Sequence, residues 1–219
     1  MEKINGNKMQ ATLDWAYDKT LNGLPGTLSA EELANNYLKK HKDEDKAIKK
    51  LVKNQLSKTG TSGFLTGLGG MITLPVAVPA NIASVIYVQM RMIAAIAHIR
   101  GYDLKDDEVK TLVYLCLTGQ TAGDILKDVG VKFAQNVGKA QIKRIPGSVL
   151  VKINQKIGFR LVTKFGEKGL INLGKMVPVL GGAVGASFDV VSTRAIAEIA
   201  KKTFEPFDQD NDRVRIIIN

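Results

Sequence analysis

The chain has 219 residues, 45% of them apolar and 24% charged, with mean hydropathy −0.01 and net charge +10; this suits one sizeable globular domain and falls well short of a multi-span membrane protein. The single cysteine, Cys116, excludes an internal disulfide and fits a reducing compartment, and the polar start MEKINGNKMQATLDW lacks the apolar core of a secretory signal, so a cytoplasmic protein is expected. The charge is uneven: residues 127–175 carry +9, against +2 before them and −1 after, a block that points to an anionic partner or to a well-solvated face.

Helix signals dominate in chain order. Met9, Leu13, Ala16, Tyr17 and Leu21 form a loose apolar stripe that ends at the breaker Gly23-Leu-Pro25-Gly26. Ser29 stands three residues before Glu32, a capping-box spacing that predicts a helix to about Lys40. Asp43 can cap the next helix, whose apolar positions are Ala47, Ile48, Leu51, Val52 and Leu56. A glycine-rich helix is expected over 61–73, and a long one from Pro79 to Arg100 with Gly101 as its stop. Asp106 starts another through Leu117, and helical segments follow at 121–144, 148–168 and 178–204. The end, Val214-Arg-Ile-Ile-Ile, reads as a short strand or a tail. The expectation is an all-α, single-domain bundle: N-terminal helices over 1–58, a helical core over 59–204 and a tail over 205–219.

The 32 residues from 59 to 90 carry no charge. Such a segment is hidden in a core or placed against a bilayer, because apolar surface in water is unfavourable. Its length suffices for a span, but Pro75, Pro79, Asn81, Gln89 and clustered glycines weaken that reading, and the helix continues into Arg91. A buried helical hairpin is expected, with conditional insertion left open.

A shift of 103 residues superposes 63–97 on 166–200 with 12 identities in 35 positions, among them Pro75/Pro178, Ala80/Ala183, Arg91/Arg194, Ile93/Ile196 and Ala97/Ala200. This reads as a duplicated helix–turn–helix unit. Gly63-x3-Gly67 and Gly181-x3-Gly185, with Gly69, Gly70, Pro75 and Pro79, supply small-residue crossings and turns. Plain tight packing in a soluble bundle accounts for the same glycines.

No reaction is written in the chain. The glycines match neither a phosphate loop nor a dinucleotide fingerprint, and no cofactor is expected. His41 and His98 are 57 apart in sequence, and the acidic run 208–212 lacks the glycine and glutamate of a calcium loop, so no metal site is expected. Asp189 interrupts an apolar helix, where an unpaired acid is costly; pairing with Arg91 or Arg194 in the core is expected, with a catalytic duty as the alternative.

Lys152, Lys156, Arg160, Lys164 and Lys168 recur every fourth residue, each of the first four followed by Ile153, Ile157, Leu161 or Phe165. Successive i+4 residues drift by only about 40° on a helix, so the two series form adjacent stripes. Such a helix, with Phe159 and Phe165 on or near its apolar side, can lie on an anionic membrane; a helix packed on a core looks the same. Nucleic acid is disfavoured, since few aromatics interleave and no binding-module signature occurs.

The run Gly63-Phe-Leu-Thr66-Gly67-x-Gly69-Gly70, then Leu74-Pro75-x3-Pro79, Gln89-Met-Arg91-x4-Ile96-Ala97 and Gly101-Tyr102-Asp103-Leu104 resembles the signature region of the EcsC family, and the similarity spans about 45–204. The resemblance implies a mostly helical, bacterial, intracellular, membrane-associated protein, with no agreed enzymatic activity. Some members carry an aspartate in the proline-rich turn, where this chain has Val76 or Ala77. Members take their name from a gene beside an ABC-type exporter, which implies a transporter as a further partner. The functional expectation is a peripheral protein on the inner face of the cell membrane that binds anionic lipid. A membrane-proximal hydrolase acting on lipid or peptide, and an adaptor for an exporter, are the alternatives. The oligomeric state is left open.

Overall fold

The computed structural model describes residues 4–59, 78–132, 145–165, 183–206 and 217–218. Their helices begin and end where local chemistry dictates. α1 (Gly6–Asn22) is capped by the Asn5 side chain and stops at Gly23, whose φ of 79° is left-handed. In α2 (Ala30–Lys40) the Ser29–Glu32 capping box forms in both directions, satisfying two otherwise orphan donors. Asp43 accepts from the Lys46 amide at 2.7 Å to open α3 (Glu44–Thr59). α4 (Ala80–Ile99) follows Pro79 and ends at Gly101, with φ of 74°. Next come α5 (Asp107–Leu117), a single 3₁₀ turn (Gly119–Thr121) and α6 (Ala122–Asp128). α7 (Gly147–Phe165) and α8 (Ala183–Thr203) complete the helices of the described residues.

The helix expected over 121–144 breaks early. α6 ends at Asp128, and Gly130 turns with φ of 76° into β1 (Val131–Lys132), which pairs antiparallel with β2 (Ile217–Ile218). The class is nevertheless all-α. The expected helix over 61–73, together with Gly63, Gly67, Gly69, Gly70, Pro75, Lys168 and Gly181, lies outside the described residues.

α4 is the centre of the bundle. Helices α1, α2, α3, α5 and α8 all pack against it, and Ile86, Met90, Met92, Ile93 and 94–97 are fully buried. The N-terminal helices belong to this core, contributing Met9, Leu13, Ala30, Ile48 and Leu51. Polar ties fix the layers. Tyr17 donates to the Leu104 carbonyl at 2.6 Å and Tyr114 to Asp14 at 3.0 Å. At the end of α4, Arg100 pairs with Glu44 at 3.0 Å and also with Asp45, joining it to the start of α3.

The α1–α2 turn tolerates no side chain at Gly23, where a Cβ would lie 2.9 Å from the Thr27 carbonyl oxygen in a left-handed backbone. Gly23→Ala is expected to destabilise by about 1–3 kcal/mol. Gly158→Ala, at a helical site with nothing within 4 Å of the added Cβ, is expected to stabilise by about 0.4–1 kcal/mol. Urea midpoints at constant m-value check both.

Candidate functional site

The basic helix α7 spends its apolar stripe on the protein's own core. Ile153, Ile157 and Leu161 are fully buried, packed toward α1, α5 and α6, and Asn154 donates to Thr111 of α5 at 3.3 Å. What remains for solvent is the opposite face, where Val151, Lys152, Gln155, Lys156, Phe159 and Arg160 are exposed.

Of the five cations expected to act together, the four that are described do not all share that face. A four-residue repeat turns by about 40° per step, so three steps sweep about 120°. Lys152 is exposed at one end of the sweep, and Lys156 is exposed but pairs with Asp128 of α6 at 3.1 Å. Arg160 is exposed. Lys164 has turned inward: its ammonium donates to the Leu117 carbonyl at 3.2 Å and sits 5.3 Å from the Phe165 ring centroid. It therefore caps the last turn of α5 rather than facing a partner. Phe159 corrects the reading in the other direction. It stands on the basic side, 69% exposed, while Phe165 packs against the core.

Sequence spacing missed Lys127, which α6 delivers to the same place. With Asp128, Val129, Gly130, Lys152, Gln155, Lys156 and Phe159 it lines an open groove of ≈ 540 Å³ between the end of α6 and α7. The signal was the excess charge of 127–175; the juxtaposition depends on the turn at Gly130.

The three residues grouped as core polar positions separate. Arg91 is buried, donating to the Leu28 carbonyl at 3.1 Å and to the Tyr87 hydroxyl at 3.5 Å. Its guanidinium lies 5.3 Å from the Tyr87 ring centroid, and its Nε has no hydrogen-bond partner among the described residues. Thr27 in turn bonds the Tyr87 hydroxyl at 2.9 Å, so Arg91 bolts the α1–α2 turn onto α4. Arg194 is not a core residue: it is exposed on α8 beside exposed Val191 and Glu198, which recur at three- and four-residue spacing on the outer face. Asp189 falls within α8, and its side chain lies outside what is described, as does its expected pairing. Among the described residues, Gln89 donates to Thr193 at 3.2 Å in the interior, a polar link between α4 and α8. Cys116 is buried, and burial pushes its thiol up to about 12, leaving it protonated and unreactive.

A family model, the EcsC protein family, matches residues 3–205. The chain belongs to that family. No curated protein and no solved structure matches it. The match to this EcsC protein begins at residue 3 and so takes in α1–α3 as well as the glycine-rich signature.

Burial lowers the Lys164 ammonium below its ordinary 10.5. In the unfolded chain the lysine keeps its proton up to that ordinary value, so between the two values unfolding takes up a proton and stability rises with pH. Relative to Lys164→Met, the wild type is expected to gain stability as pH climbs from 7 toward 10. Thermal melts of both proteins across that range check it, and a pH-independent gap would contradict it.

Proposed function

We propose that this protein associates peripherally with anionic membrane, docking through the outer face of α7 and the adjoining end of α6. The observation that carries the reading is Phe159, left 69% exposed amid Lys152, Arg160 and the Lys127–Lys156 groove. An aromatic ring surrounded by cations suits the headgroup–acyl boundary, where the ring enters the apolar layer and the ammonium groups meet phosphate. Val151, 56% exposed, adds a second apolar contact about two turns away. At about 1 kcal/mol per engaged cation, Lys127, Lys152 and Arg160 supply about 3 kcal/mol, with Phe159 adding about 2. Lys156 contributes less while Asp128 neutralises it. The sum supports reversible attachment to the cytoplasmic face of the cell membrane.

In this reading α4 stays in the core. Its window Ile82–Ile99 is the one helix among the described residues long and apolar enough to cross a bilayer, and 89% of it is buried inside the protein. We also infer that α4 and α8 descend from one duplicated unit. They start at Ala80 and Ala183, 103 residues apart, and the matched pairs Ile93/Ile196, Ala94/Ala197 and Ala97/Ala200 are buried in both. Arg91 and Arg194 have diverged in environment.

Vesicle co-sedimentation tests the docking face. Binding to vesicles containing anionic lipid, and its loss from about 0.1 to 0.5 M salt, are expected. Lys152→Gln with Arg160→Gln should weaken it about 10- to 30-fold. Equal binding to neutral vesicles, or none to either, would reject the reading.

A further inference from the structure

We infer that the groove between α6 and α7 receives a phosphomonoester lipid headgroup in preference to a phosphodiester one; the inference rests on the membrane-docking reading above. Three ammonium groups, Lys127, Lys152 and Lys156, line it with one carboxylate, Asp128, so its walls carry two net positive charges. A phosphomonoester carries about −1.5 to −2 at pH 7 and three terminal oxygens, whereas a phosphodiester carries a single negative charge. The wall charge balances the first and overcompensates the second.

The groove is also organised in advance. Asp128 holds the Lys156 ammonium at 3.1 Å, which uses one of its three donors and leaves two for phosphoryl oxygens. Gln155 adds an uncharged amide on the wall between the lysines. The left-handed Gly130, with φ of 76°, folds the chain back after α6, and the Gly130 amide donates to the Lys127 carbonyl at 3.1 Å, fixing the rim. At ≈ 540 Å³ the space lies within the range of small-ligand sites, about 300–1,000 Å³.

The exposed apolar side chains identify a lipid as the source of the phosphate. Among the described residues four large hydrophobics are exposed, Leu28, Val151, Phe159 and Val191. Two of them, Val151 and Phe159, stand on the same helix face as Lys152 and Gln155, and Phe159 is itself part of the groove wall. A free phosphate would leave both in water, while a headgroup delivered from a bilayer brings the acyl layer to them.

The test measures binding of the full chain to vesicles of phosphatidylcholine doped with phosphatidic acid or with phosphatidylglycerol, the doping adjusted to equal zeta potential. The phosphatidic acid vesicles should bind at least tenfold tighter. Lys127→Gln, an exposed position whose folding is checked by its thermal melt, should bring that ratio to within about twofold. Equal affinity for the two lipids in the wild type overturns the headgroup assignment while leaving surface docking in place; no binding to either overturns both. Inorganic phosphate supplies the remaining arm. Submillimolar saturation of the Gln155 and Gly130 amide resonances by phosphate alone would reassign the groove to a soluble ligand and overturn the lipid source, whereas no shift below about 10 mM supports it.

Discussion

A helix of twenty residues with one arginine and no other full charge must be enclosed by something, and the rest of this structure follows from how α4 is enclosed. Five helices surround it, and each turns its apolar stripe inward to do so. At about 25 cal/mol per Å² of apolar surface removed from water, the enclosure stabilises the fold in proportion to the apolar area it hides. Releasing α4 into a bilayer would strip the matching faces of α1, α2, α3, α5 and α8 at the same moment. Arg91 opposes insertion independently: it stands in the middle of the Ile82–Ile99 window, where a charge would sit near the bilayer midplane at about 2.5–3.5 kcal/mol or more. Inside the protein its charge is met by a carbonyl and an aromatic face.

Because α4 is committed to the core, the contact with lipid proposed above falls to the periphery. α7 shows how one amphipathic helix serves both ends. Its isoleucines complete the bundle and its outer face offers lysines and a phenylalanine. This inverts the usual arrangement for an interfacial helix, in which the apolar stripe itself enters the membrane. In the proposed docking mode the apolar entry points are Phe159 and Val151, which makes for shallow docking that leaves the core intact.

Helix ends were legible in the sequence because their causes are local. The Ser29–Glu32 box, the Asp43 cap and the Gly101 stop each involve groups within four residues. The all-α class followed from the same signals. Faces were less legible, since periodicity says that a helix has a wet side without saying which residues a neighbour will claim. Lys164 is drawn to the Leu117 carbonyl because α5 ends beside it, and Phe159 is left 69% exposed on the opposite face. Arg91 and Arg194 occupy matched positions, yet one faces the α1–α2 turn and the other faces solvent; only the surrounding helices distinguish them. The groove was the least legible feature, because it depends on where Gly130 reverses the chain.

The proposed division of labour, a sealed α4 and an α7 that meets lipid, is tested most directly by hydrogen–deuterium exchange on the full chain, with and without vesicles containing anionic lipid. Vesicles should slow exchange in peptides covering 148–163 and 124–130 and leave the protection of 82–99 unchanged. Faster exchange across 82–99 on vesicle binding, with α7 unaffected, would contradict it.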